Sequence, residues 1–259
     1  MPSTYAHYRF GAAALGTMPA DIRRTAKRFR QLYDVGLHGP DIFDYGTPVM
    51  NTRLRGLKNK LHNQSGTDFF QRACRNLRLD PAEAADAYLY GLLTHYCLDA
   101  VCRPFIKEKA GEGIASIQAI ETEFDRFLLE KDGKVPPCSQ DLSPHIRLTP
   151  GECETTARFY SGVNAGQIKD CVRNMAMVTR LMAAPEGARR SLLRKSFGVI
   201  AQEDKLMGSV PNPDCAHLNE ELYALYTQAE ALFARLLLQL NAHMTYNAAL
   251  GEEFAPPFG

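Results

Sequence analysis

The sequence predicts an all-α fold, and three observations carry that prediction. Apolar residues return at three- and four-residue intervals, as in Ile22, Ala26, Phe29 and Leu32/Tyr33, the spacing of one helix face. Alternating runs of β-branched residues are missing, so no strand signal competes. Helix-start signatures recur at Asp80-Pro81-Ala-Glu83, Ser116 and Thr149-Pro150-Gly-Glu152. With 259 residues, 45% of them hydrophobic, the chain can bury a sizeable core. It has no internal repeat, low-complexity tract or Pro/Gly-rich linker. The expectation is one helical-bundle domain over residues 1–259.

Taken in order, residues 7–15 predict a short helix around His7. Pro19 and Asp21 open a second, whose other face carries Arg23, Arg24, Lys27, Arg28 and Arg30. That charge run reads as a solvated face, with an anion-binding surface as the lesser alternative. Gly36-Leu-His38-Gly-Pro40-Asp41 is a loop and turn, because Gly, Pro and Asp together punctuate helices. Residues 53–78 form a basic amphipathic stretch with a break near Ser65-Gly66. Asp80 is then expected as an N-cap, Pro81 as the first helical residue and Glu83 as the reciprocal cap. This helix is expected to run to about Cys102 and stop at Arg103-Pro104, since proline disfavours a helical residue before it. Ser116 caps a helix over 117–131 that ends at Asp132-Gly133. Residues 134–148 are a long loop, and Thr149 with Glu152 is a capping box. Two or three helices fill 164–206. Pro211-Asn-Pro213-Asp214 breaks the chain before a final helix of about 219–246.

Charge is balanced, with Lys+Arg 30 against Asp+Glu 29. No global field steers the chain to nucleic acid or to an anionic membrane. Seven cysteines are scattered with no Cys-x-x-Cys pair, which argues against a zinc ribbon or a thioredoxin-like site. Reduced thiols are the simple reading. The first residues lack a basic-then-apolar signal pattern, and no apolar run approaches a membrane span. A cytoplasmic location is the expectation.

One segment stands out, Tyr88-Leu-Tyr-Gly-Leu-Leu-Thr-His95-Tyr-Cys-Leu-Asp99. An imidazole and a carboxylate four residues apart share one helix face, and Tyr88 and Leu92 make the rest of that stripe apolar. Two polar groups aimed into a core must be satisfied. Either a metal ion or a buried hydrogen bond between them does so.

The order of motifs extends this. Met1-Pro-Ser-Thr-Tyr-Ala-His7-Tyr-Arg-Phe-Gly, Gly36-Leu-His-Gly-Pro-Asp41-Ile, His62 ahead of Phe69-Phe70, and Gly91-Leu-Leu-Thr-His95-Tyr-Cys-Leu-Asp99 come in turn. Ile120-Glu121-Thr-Glu-Phe-Asp and Pro211-Asn-Pro-Asp-Cys-Ala-His follow. Together they resemble the zinc-dependent phospholipase C family over most of the chain, most closely its cytoplasmic bacterial relatives. The resemblance implies a helical bundle, up to three zinc ions and phosphoester hydrolysis. It implies His62, His95 and Asp99 as metal ligands, Asp99 as a bridge between ions, and His7 as a ligand of a second ion. It gives Asp41 the role of orienting or deprotonating the attacking water, although Asp41 could also cap a helix after Pro40. A further family site uses two histidines and a glutamate. Here Arg103 and Ile117 stand where the histidines are expected, and only Glu121 remains.

Arginine cannot ligate a metal, but its planar fork suits a carboxylate or a phosphate. Arg103 is therefore expected to pair with Glu121 or to reach a phosphoryl oxygen. One or two ions are expected: zinc, or the manganese or iron that the same ligands suit. The substrate would be a phosphoester, with phospholipid among the options. The rival from another class is a relative that has lost catalysis and serves as a binding or scaffold protein. His38 reads as a local hydrogen-bond residue. His145, His217 and His243 carry no functional expectation.

Overall fold

The computed structural model describes residues 4–46, 52–185, 187, 190–192, 204 and 206–258. Among them the regular structure is helical. The one β feature is an isolated bridge between Ser65 and Pro257. Ten α-helices can be followed: α1 (Thr4–Thr17), α2 (Ala20–Arg28), α3 (Arg30–Gly36), α4 (Thr52–His62), α5 (Gly66–Leu79), α6 (Glu83–Gly111), α7 (Ile117–Lys131), α8 (Pro150–Ala157), α9 (Ala165–Met182) and α10 (Asn219–Tyr246). A 3-10 turn over Gly39–Tyr45 follows α3.

α6 is the axis of the molecule. Seventeen of its 29 residues are buried, so it is apolar nearly all round and must be enclosed by other elements. Helices α1, α2, α3, α5, α7, α8 and α10 pack on it. The tightest crossing is with α3. A Cβ on Gly91 would lie 2.4 Å from the Tyr33 carbonyl oxygen, and one on Gly36 2.6 Å from that of Tyr88. Only glycine at both positions lets the two backbones meet this closely. One contiguous apolar core runs from Tyr5 on α1 to Phe254 and Phe258 near the C-terminus. All seven cysteines are buried and unpaired with one another.

Several helix ends follow the sequence signals. Ser116 Oγ accepts from Ala119 N at 3.1 Å. Thr149 and Glu152 form the capping box that opens α8. Gly133 ends α7 at φ 71°, in the left-handed region that favours glycine.

Two expectations about α6 are corrected. The helix does not stop at Arg103-Pro104 but passes through Pro104 to Gly111. Proline inside a helix forfeits a backbone hydrogen bond, a cost of about 3 kcal/mol. The burial of Phe105 and Ile106 against the core and the helix-forming run beyond them outweigh it. Nor does Asp80 cap α6. It terminates α5 instead, and Glu83 accepts from Thr25 Oγ1 at 3.0 Å and from Arg28 Nη1 at 2.8 Å. The continuous stripe expected through Phe29 is also broken there, at φ −110° and ψ 49°, dividing α2 from α3. Part of the stretch expected to hold helices between 164 and 206 lies outside the described residues. No helix among the described residues is long and apolar enough to cross a membrane.

Candidate metal centre

Three elements converge at the middle of α6. α1 brings His7, the 3-10 turn brings Asp41, and α6 itself brings His95 and Asp99 one helical turn apart. One ligand atom from each of the four lies within 4.8 Å of all the others, and all four residues are buried. Donors on one ion at bonds of about 2.0–2.2 Å lie no more than about 4.4 Å apart. The four donors are therefore grouped closely enough that a metal ion could draw them together.

The placement of each side chain has a local cause. His7 sits in the first turn of α1, whose leading amides are capped from a distance. Asp125 on α7 accepts from Tyr5 N and Ala6 N, both at 2.8 Å. The His7 imidazole stacks on that of His95 with ring centroids 4.5 Å apart. His95 Nδ1 lies 3.2 Å from the Leu37 carbonyl oxygen, and Phe258 lies against the His95 ring at 5.8 Å. Gly39, at φ 51°, passes so close that a Cβ there would lie 2.6 Å from the His95 ring. That glycine lets the turn fold over the imidazole and deliver Asp41.

The electrostatics of the centre are set by two imidazoles and two carboxylates packed together without exposure. A carbonyl only accepts, so His95 Nδ1 is the donor toward Leu37, and Nε2 of the neutral ring is a bare acceptor. Burial drives the His95 pKa down to about 4 despite the opposing pull of Asp99, so the ring is neutral at pH 7. Its Nε2 then faces Asp99 Oδ2 at 3.6 Å, and His7 Nε2 lies 3.3 Å from Asp99 Oδ1. Burial by itself would raise the Asp99 carboxyl, yet the adjoining His95 and His7 rings hold it below the usual carboxylate range. His7 Nε2, His95 Nε2, both Asp99 oxygens and Asp41 Oδ2 are buried with no hydrogen-bond partner. Buried polar groups are normally satisfied. A lone pair facing a carboxylate in an enclosed site is what a cation relieves. Imidazole nitrogens and carboxylate oxygens are a donor set for zinc, and equally for manganese or iron.

His62 stands beside the four grouped donors, against Asp41. Its Nε2 lies 3.0 Å from Asp41 Oδ1, so it reaches the centre through Asp41 and is not itself one of the four converging donors. Asp41 in turn makes no side-chain cap to its own turn. Lys58, which the sequence reading passed over as part of a basic stretch, lies 3.2 Å from the same Asp41 oxygen and also pairs with Asp44. Burial would raise the Asp41 carboxyl, but Lys58 and then His62 hold it well below the ordinary range. Both partners sit on Oδ1, which leaves Oδ2 for the cluster.

A cavity of about 250 Å³ adjoins the centre and is lined in part by His7, Asp41, Lys58, Arg103 and Glu121. Glu121 thus shares the cavity but lies outside the four-residue cluster. Ile117 and residues of α9, among them Met175 and Val178, form an apolar side. Arg103 faces Asp99, one turn earlier on α6, with Nη1 3.7 Å from Oδ2. His38 also lines the cavity, and its Nε2 meets that of His145 at 2.8 Å. This partner is 107 residues away, not local as expected. Burial lowers the pKa of both rings, His38 well below 6.5 and His145 to about 3, the latter helped by Arg30.

Asp125, Lys58 and His145 are the contributors that sequence reasoning missed. Their partners are distant in sequence or belong to an ordinary charge run, so no spacing could signal them. Compared with models of protein families, with curated proteins and with solved structures, the chain matches none.

Proposed function

We propose that this chain is a metal-dependent phosphoric ester hydrolase related to the zinc-dependent phospholipases C. The observation that carries the reading is the convergence of His7, Asp41, His95 and Asp99 on one buried point beside a cavity. The ordered motifs that resemble that family supply the reaction class.

A divalent ion held there would polarise a phosphoryl oxygen and lower the pKa of a bound water to roughly 7. The residues of the chain divide the remaining tasks. His95 offers Nε2 because Nδ1 is committed to Leu37. Asp99 has both oxygens without hydrogen-bond partners and can serve one ion or bridge two. Asp41 presents Oδ2, while His62 and Lys58 fix its other oxygen. That arrangement suits a carboxylate that stays ionised and orients an attacking water through Oδ2. The apolar wall of α9 gives room for a nonpolar substituent of the ester, so a phospholipid is among the substrates that fit, beside soluble phosphodiesters.

The second reading is a relative that keeps the fold and binds without hydrolysing. The presence of Arg103 and Ile117 at the positions where the family has histidines favours it. Metal content of protein prepared without chelator, followed by a screen of phosphodiesters and phosphomonoesters with added zinc or manganese, separates the two. Metal-dependent hydrolysis that Asp99→Asn abolishes is the expected result. Metal uptake with no hydrolysis of any substrate favours the binding protein, and hydrolysis indifferent to Asp99→Asn overturns the mechanism.

A further inference from the structure

The buried cations of the described core are mostly well engaged. Arg126 donates to Glu123 through Nε at 2.9 Å and to Glu130 through Nη1 at 2.9 Å. Lys58 is held between Asp41 and Asp44. Arg103 differs. Its side chain is only 17% exposed, yet Nε and Nη1 are buried and have no hydrogen-bond partner. The carboxylate it faces, Asp99, stands 3.7 Å away, beyond hydrogen-bond distance, and Asp99 belongs to the metal centre. Arg103 is nevertheless on the wall of the cavity that adjoins that centre.

A guanidinium is always charged and presents its N–H groups as a rigid planar fork. Burying such a group with its donors unmet is costly. The cost is lowered when the side chain swings toward the cavity and an oxyanion there accepts from the guanidinium, because charge-assisted N–H···O bonds engage donors that a carboxylate 3.7 Å away does not. Lys58 cannot fill this role, since its charge is already matched by two carboxylates.

We propose that Arg103 forms an oxyanion-binding subsite of the cavity. Its fork holds the non-bridging oxygens of a phosphoryl group beside the His7, Asp41, His95, Asp99 centre. Naming the anion as phosphoryl rests on the hydrolase reading above; the subsite itself rests on the unmet donors. Arg103 then sets the charge required of the ligand at this point, and the apolar wall is left to the rest of the molecule.

The test is titration of inorganic phosphate into the protein by calorimetry, before and after zinc loading, for wild type, Arg103→Met and Arg103→Lys. Circular dichroism checks that each variant is folded, and cobalt(II) uptake, read from its absorption spectrum, checks the metal centre separately. A charge-assisted pair contributes enough that its loss weakens binding by roughly tenfold or more. The expected result is such a loss in Arg103→Met in at least one of the two states, with Arg103→Lys closer to wild type, because it keeps the charge but not the fork. The inference is overturned if wild type binds no phosphate in either state. It is equally overturned if Arg103→Met binds within tenfold of wild type in both. Phosphate binding lost in Arg103→Met, in a protein that hydrolyses no ester, would keep the subsite and sink the hydrolase reading. Hydrolysis abolished by Asp99→Asn, with phosphate binding indifferent to Arg103, would do the reverse.

Discussion

Two buried ionic clusters lie on this bundle, and they are built on opposite plans. On α7, Glu123 receives bonds from Arg126, from Asn219 Nδ2 at 3.0 Å and from Asn212 N at 2.9 Å. Every partner there is a donor meeting an acceptor. On α6, the His95 Nε2 lone pair faces the Asp99 carboxylate, and five buried atoms of His7, Asp41, His95 and Asp99 have no hydrogen-bond partner. Burial of charge is common to both, so burial does not mark the candidate site. What marks it is unspent bonding capacity. The first cluster is closed and ties α7 to the start of α10. The second is open and asks for something from outside the chain.

The comparison can be broken most directly at Asp99. Asp99→Asn is expected to lower zinc affinity by at least roughly a hundredfold and to remove hydrolysis, since it deletes the ligand with two open oxygens. Equilibrium dialysis against a competing chelator measures it, and near wild-type affinity would place the ion elsewhere. The closed cluster should respond in the other currency. Glu123→Gln leaves Arg126 short of its buried counter-charge and is expected to cost about 3 kcal/mol of stability while leaving metal uptake unchanged. Urea unfolding and metal titration of the same variant check both halves.

A ligand-binding centre also predicts linkage. Zinc at about a hundred times its Kd should add about 2.7 kcal/mol to unfolding. The gain should vanish with chelator and be missing from Asp99→Asn. A smaller effect concerns the His38–His145 pair, a polar contact beside the open cluster but satisfied within the chain. The folded-state pKa values lie below 6.5, so the unfolded chain takes up protons first as the medium acidifies. Stability from the neutral pair is then complete above about pH 6.5 and declines toward pH 3. For His145 alone the loss by pH 5 amounts to about 2 kcal/mol. His145→Gln should flatten the pH dependence of Tm between 7 and 5, and an unchanged slope would show that the pair does not titrate in that window.

The helical class and much of the element order were legible because they depend on local chemistry. Ser116, the Thr149–Glu152 box and Gly133 act within three or four residues of themselves, so the chain displays them openly. Pro104 misled for the same reason: its local penalty is real, but Phe105 and Ile106 override it through contacts that no short window contains. The His95–Asp99 pair was visible as one turn of a helix, and its convergence with His7 and Asp41 was anticipated through the motif series. The contact of His62 with Asp41 was harder to read, because the two lie 21 residues apart on different elements. Asp125 was illegible, since it caps a helix some 120 residues earlier in the chain.

The Gly36–Gly91 contact has a consequence for how finely the centre is set. Leu37, Gly39 and Asp41 follow directly from the first glycine, and His95 lies one turn beyond the second. The gap between carboxylate and imidazole is thus gauged by two residues that carry no functional group. A methyl group at either one would act as a shim, spreading the donors apart with the full ligand set still in place.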